Sequence, residues 1–219
     1  MKNKVLVVAV HPDDETLGCG GTLLKHKENG DEIYWLICTA ISKDHTYYDT
    51  REKEIRYVEQ AYGFNKVYNL RLKTMKVDEY SMSELVGKIS EVINDIEPNI
   101  LYLPFKSDVH SDHRKIFEAA YSCTKSFRYP FIKKLYMMEA LSETEFAPST
   151  KEDSYIPNVF VDISKFIDKK LDIMKMFKSE IGEHPFPRSE RNIKALSIYR
   201  GASCGCKYAE SFMLLKEVQ

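Results

Sequence analysis

KVLVVAVHPDDE (residues 4–15) passes in one step from an unbroken apolar run to a knot of charge. Residues 5–10 are valine-rich and have no polar position to mark a solvent face. That is the pattern of a central parallel strand covered on both sides. The run is far short of the roughly 20 apolar residues that span a bilayer. Carboxylates follow it at once and no A-x-A-like cleavage site appears, so a secretory leader is not expected. Directly behind the run stand His11, Asp13, Asp14 and Glu15. Such a concentration of carboxylates repels itself unless protons or a cation compensate.

Outward from this stretch, strand and helix patterns alternate. Residues 32–38, 66–68 and 100–103 read as further strands. Residues 18–28 read as a helix closed by Asn29-Gly30, and residues 50–62 as one ended by Gly63. Residues 83–96 place Leu85, Val86, Ile89, Val92, Ile93 and Ile96 on one helical face, with Pro98 as the stop. Another helix begins at 112–122. The alternation through residue 127 predicts βαβ units in a Rossmann-like three-layer α/β fold with a mostly parallel central sheet. Beyond it, residues 134–139, 158–163 and 212–218 read as strands and 163–177 as a helix capped by Ser164. Residues 182–188 and 201–205 read as loops. A length of 219 residues suits a single domain. Its α/β core is expected over 1–127, with a decorated region over 128–219.

Composition narrows the partners. Hydrophobic residues make up 43% and charged residues 30%, with a formal net charge of -1. These values suit an ordinary globular protein and supply no broad basic surface for nucleic acid or anionic membrane. A soluble, cytoplasmic protein without membrane insertion is expected. The five cysteines, Cys19, Cys38, Cys123, Cys204 and Cys206, are odd in number and scattered, which argues against a disulfide framework. Cys204-Gly205-Cys206 is C-x-C, a poor zinc signature. Gly18-Cys19-Gly20-Gly21 does not complete a dinucleotide fingerprint and reads as close helix–strand packing.

A second motif, HSDHR (residues 110–114), follows the fourth predicted strand. Strands one and four of a doubly wound sheet are commonly neighbours at its switch point, so the loops carrying HPDDE and HSDH should meet. Imidazole and carboxylate donors suit Zn²⁺. His11, Asp14 and His113 provide three ligands, and three ligands with an open fourth place mark a catalytic ion. Asp13 and His110 are then free for proton transfer and charge stabilisation. The same donors also suit Fe²⁺. His26, His45 and His184 fall outside this set.

HPDDE after the first strand and H-S-D-H after a later one resemble the PIG-L/LmbE-like family of zinc-dependent N-deacetylases. Arg51-Glu52 with Ala61-Tyr62-Gly63, and the tail Arg200-Gly201 … Gly205 … Tyr208-Ala209-Glu210, are similar to further elements of that family and of its many bacterial members. The resemblance implies hydrolysis of the N-acetyl group of an N-acetylglucosamine-type conjugate to acetate and a free amine. It implies one metal ion per chain on His11, Asp14 and His113, Asp13 as general base and His110 on the oxyanion. It further implies that Asp112 orients and charges His110, and that Arg51 lies near the sugar. Members often form homo-oligomers, so assembly of identical chains is expected. They diverge by substrate across about 126–198, which makes the decorated region substrate-determining. Alternatives are hydrolysis of another amide or of a phosphoester, or a non-catalytic sugar-binding relative. A phosphoester would favour two metals about 4 Å apart, and no second full ligand set is apparent in the sequence.

Overall fold

A computed structural model describes residues 2–219. The opening apolar run forms β1 (Lys4–Ala9), and its alternating side chains divide between two cores. Val5, Val7 and Ala9 enter one core, while Leu6, Val8 and Val10 enter the other. A period of two sends successive residues to opposite faces of a sheet. Both faces of β1 are buried, so no position in the run tolerates a polar residue.

The remaining elements are α1 (Asp14–Glu28), β2 (Glu32–Ala40), α2 (Tyr48–Tyr62), β3 (Lys66–Lys73), α3 (Met82–Ile96), β4 (Ile100–Leu103), α4 (Ser111–Ser122), β5 (Lys134–Met138), β6 (Val159–Asp162), α5 (Ile167–Met174), α6 (Glu190–Cys204) and β7 (Ala209–Glu217). The sheet order is β3-β2-β1-β4-β5-β7-β6. β1 to β5 run parallel, and β7 lies antiparallel between β5 and β6. One face is covered by α3 and α4, through Leu85, Ile89, Ile93 and Ile116. The other is covered by α1, α2 and α5, through Leu23, Val58, Ile167 and Leu171. The three-layer α/β architecture expected from the alternation is the one observed.

Three local expectations need correction. α1 starts at Asp14, inside the charged motif, and is kinked at Cys19, where φ is -146°. The kink frees the N–H groups of Gly21 and Thr22, and both donate to the Glu210 carboxylate at 2.9 and 2.7 Å. Lys170 Nζ donates to the same carboxylate at 2.7 Å. The Glu of the Tyr-Ala-Glu tail therefore restarts α1 after its kink. The glycines beside the kink permit close packing: a Cβ on Gly21 would come within 2.7 Å of Ile163.

α5 is shorter than expected, and Ser164 does not cap it. The Ser164 hydroxyl instead donates to Asp162 Oδ1 at 2.6 Å. Residues 201–204, read as part of a loop, belong to α6, whose cap Ser189 accepts from Asn192 N. α6 buries only Ile193, Ser197 and Gly201, too little to print a helical stripe on the sequence. Gly201 lies within the helix because a Cβ there would meet Cys206 O at 2.6 Å. All five cysteines are free thiols. No helix among the described residues is long and apolar enough to cross a membrane.

Candidate active site

β2 and β3 are laid down on one side of β1, and β4 opens the other side. Where strand order reverses in this way, the loops leaving the carboxyl ends diverge and leave a crevice. The turn after β1 carries His11 to Asp14, and the loop after β4 leads to His110 and the first turn of α4. Both motifs therefore reach one crevice, a cavity of about 250 Å³ lined by His11, Asp13, Met75, His110, Glu143 and Arg188 among others.

His11, Asp14 and His113 are brought together there. His113 Nε2 lies 3.3 Å from His11 Nδ1 and 3.4 Å from Asp14 Oδ2. His11 Nδ1 and Asp14 Oδ2 are 3.9 Å apart. Donors held about 2.0–2.1 Å from one tetrahedral ion stand about 3.3 Å from each other. The three atoms thus have close to the spacing of one face of such a tetrahedron. Charge agrees with geometry. Asp13, Asp14, Glu15, Asp108 and Asp112 are all buried around this point. Burial acts to lower His113, yet Asp14 and Asp108 prevail and push it up to about 9. This environment retains positive charge, and the donor set fits a divalent cation.

A carboxylate stands behind each imidazole. Asp108 Oδ2 is 2.8 Å from His113 Nδ1, and Asp112 Oδ2 is 3.4 Å from His11 Nε2. Such partners hold the tautomer whose lone pair faces the ion. Asp112 was expected to orient His110, but its carboxylate is turned to His11 and also accepts from Met75 N and Val77 N at 2.7 and 3.2 Å. Only the backbone N–H of Asp112 meets His110, donating to Nδ1 at 3.1 Å. Asp108 escaped the sequence reading because a lone carboxylate in a loop prints no motif. Asp108→Asn should weaken metal binding about 10- to 100-fold, measured by competition with a chromophoric chelator. Unchanged affinity would remove Asp108 from this role.

His110 is pushed down, first by burial and then by the neighbouring His11, while Asp112 pulls the other way. The charged His110 expected from the Asp112 resemblance is therefore not favoured here. A neutral His110 still donates: Nδ1 accepts from Asp112 N, so the ring proton sits on Nε2.

Asp13 has a φ of 139°, a region that side chains rarely adopt. That strain costs about 1–3 kcal/mol and persists only where the surroundings over-determine it. Here Asp13 N donates to Glu15 Oε2 at 3.1 Å. Glu15 is completely buried; it anchors the turn from within rather than acting as an exposed helix-start charge. Burial first, then Asp14 and Glu180, raise the Asp13 carboxyl, and Arg188 pulls it down. Arg188 Nε is 3.9 Å from Asp13 Oδ2.

Arg51, expected near a sugar, is engaged by the protein. Its Nη1 donates to Pro12 O at 3.0 Å and its Nη2 to Ser179 Oγ at 2.7 Å. Glu54 and Glu180 pair with the remaining donors. Arg51 borders the crevice but braces the backbone of the 11–14 turn. Glu143, Glu180 and Arg188 come to the site from the chain between β5 and α6, where the sequence carries no recognisable motif.

A family model described as GlcNAc-PI de-N-acetylase (PIG-L) matches residues 6–124. The diacetylchitobiose deacetylase of Thermococcus kodakarensis is 25% identical over 218 residues, covering 94% of this chain and 81% of that protein. The crystal structure of the conserved protein TT1542 from Thermus thermophilus superposes with a TM-score of 0.80 at 26% identity, covering 99% of this chain and 96% of that one. GalB, the 4-carboxy-2-hydroxymuconate hydratase of Pseudomonas putida, superposes with a TM-score of 0.77 at 16% identity, covering 100% and 98%. One fold thus carries a deacetylase and a hydratase, so the reaction has to be argued from the site.

Proposed function

This chain belongs to the GlcNAc-PI de-N-acetylase (PIG-L) family, and from that premise we propose that it is a metal-dependent deacetylase of N-acetylated amino sugars. The observation that carries the reading is the triangle of His11, Asp14 and His113 donor atoms beside a strained, buried Asp13. The ion proposed is Zn²⁺, one per chain, with Fe²⁺ suited to the same donors. When bound, it supplies Lewis-acid polarisation of the amide carbonyl and a nucleophilic water at neutral pH.

The protein's own groups do the rest. Asp13 takes a proton from the attacking water as it adds to the acetamide carbonyl. His110 Nε2–H donates to the carbonyl oxygen as that oxygen gains charge; one such donor is typically worth about 2.7–4 kcal/mol. An amide nitrogen cannot leave as an anion, so the proton held by Asp13 passes to it. The C–N bond then breaks, giving acetate and the free amine. Arg188 steadies the negative charge of Asp13 before it takes the proton and after it gives it up, and Arg51 keeps the turn in place.

Phosphoester hydrolysis with two ions is disfavoured by a specific contact. The second cluster of donors, His11, His110 and Asp112, shares His11 with the first. Two ions would require His11 to bridge them through both nitrogens, yet Nε2 faces Asp112, a partner that holds a ring proton there.

The test is acetate release from a panel of N-acetylglucosamine conjugates, before and after chelation and after Zn²⁺ or Fe²⁺ is restored. Release that chelation stops and metal restores is the expected result. No release from any conjugate, or release indifferent to chelation, would overturn the reading.

A further inference from the structure

The Cys204-Gly205-Cys206 segment has no part in the proposed reaction, and neither thiol lines the crevice. It closes α6 and leads into β7. Cys204 is the last residue of the helix, and Gly205 caps it at a φ of 79°. That left-handed turn folds the chain back over the helix, where Cys206 N donates to Gly201 O at 3.0 Å. The approach is close because Gly201 has no side chain; a Cβ there would stand 2.6 Å from Cys206 O. The backbone thus returns Cys206 to the helix end, and the Sγ atoms of Cys204 and Cys206 lie 3.3 Å apart.

The other three cysteines, Cys19, Cys38 and Cys123, are buried, whereas Cys204 is exposed and Cys206 half-buried. Thiols within reach of solvent exchange with dissolved disulfides, and buried ones are inert. Neither Cys204 nor Cys206 belongs to a group of three donors that could share an ion. Two sulfurs alone fall short of a zinc site, which leaves redox chemistry as the use of the pair. Burial first, then Cys204 and Asp162, push the Cys206 thiol up to about 11. Cys206 therefore holds its proton, and Cys204 is the sulfur open to a reagent from solvent.

We propose that Cys204 and Cys206 form a reversible dithiol–disulfide site that exchanges with low-molecular-weight disulfides. Cys204, as thiolate, attacks one sulfur of the small disulfide; that S–S bond breaks, and one thiolate leaves with the bonding electrons. Cys206 gives up its proton to a departing thiolate, and its sulfur attacks Cys204 Sγ and expels the second thiolate. The two cysteines are oxidised by two electrons, the small disulfide is reduced to two thiols, and the protons of the cysteines end on those thiols. An excess of small thiol drives the same steps backward.

The test exposes the reduced full-length protein, folded, to glutathione disulfide and glutathione in varied ratio. Acid-quenched samples are read by intact mass and by alkylation before digestion. Wild type should lose two hydrogen atoms and retain no glutathione. The peptide carrying Cys204 and Cys206 should lose both alkylatable thiols, while Cys19, Cys38 and Cys123 stay free. Dithiothreitol should restore both thiols. Cys206→Ser should instead keep a glutathione on Cys204, because no second sulfur displaces it. Cys204→Ser should take up glutathione about 10-fold more slowly than Cys206→Ser, since its remaining thiol is half-buried and holds its proton. Circular dichroism checks that both variants are folded. A wild type that accumulates the glutathione adduct without closing, or that leaves both thiols free at every ratio, overturns the proposal.

Discussion

Asp13→Asn should lower acetate release by about 10²- to 10⁴-fold, the usual contribution of a positioned base, with metal content unchanged. Asn is nearly the same shape as Asp, and the 139° backbone is held through Asp13 N and Pro12 O rather than through the Asp13 side chain, so it should survive. Asp13 is not one of the grouped donors His11, Asp14 and His113, which is why the ion should stay. What the variant loses is the ability to take a proton. The same substitution also removes one of the buried carboxylates whose mutual repulsion raises Asp13. The metal-free variant should therefore be no less stable than metal-free wild type. Near-native turnover with metal bound would take Asp13 out of the chemistry.

His113→Ala should have the opposite profile, with loss of ion, of activity and of stability together. The imidazole is fully buried between Asp14 and Asp108, 3.4 and 2.8 Å away. Its removal leaves two carboxylates facing a void without their positive partner. Breaking a buried pair from one side typically costs about 3–5 kcal/mol. For a chain of this length each kcal/mol lowers the melting temperature by about 2–4 °C. His113→Gln keeps more of the volume and serves as the second variant if Ala fails to fold. Elemental analysis and calorimetry of both variants read the outcome. Full metal content in either would remove His113 from the ligand set and, with it, the basis of the deacetylase reading.

The two experiments separate roles that lie close together. Asp13 and Asp14 are adjacent in sequence, yet one faces the crevice under strain while the other joins the two histidines. The strained backbone at Asp13 does this sorting. Glu15 holds the N–H of Asp13, and Arg51 holds the carbonyl of Pro12. Both supports act on the backbone of the turn, so their loss should be felt as misplacement of Asp13 and His11.

Much of the fold and half of the site were legible because their signals are local. An apolar run without a polar face, short and rich in valine, reads as a strand buried on both sides, and residues 5–10 divide between two cores as that requires. The alternation of strand and helix sets the parallel sheet, and a parallel sheet has one end where ligands enter. Two histidine motifs at the carboxyl ends of β1 and β4 were therefore bound to approach each other. Residue chemistry within each motif then nominated His11, Asp14 and His113. α6 was not legible, because a helix that buries only Ile193, Ser197 and Gly201 writes no stripe.

Only the tertiary structure decided which groups support the motif residues. Asp112 lies two residues from His110, yet its carboxylate faces His11, over a hundred positions away in the chain. Asp108, Glu180 and Arg188 carry no pattern of their own and acquire a role only from what folds against them. A chain-local signal depends on periodicity and on chemistry within a few residues, and those determine strands, helices and candidate ligands. Hydrogen bonds between distant loops depend on where the sheet delivers each backbone and which buried charge still needs a partner. That accounting closes only once the chain has folded.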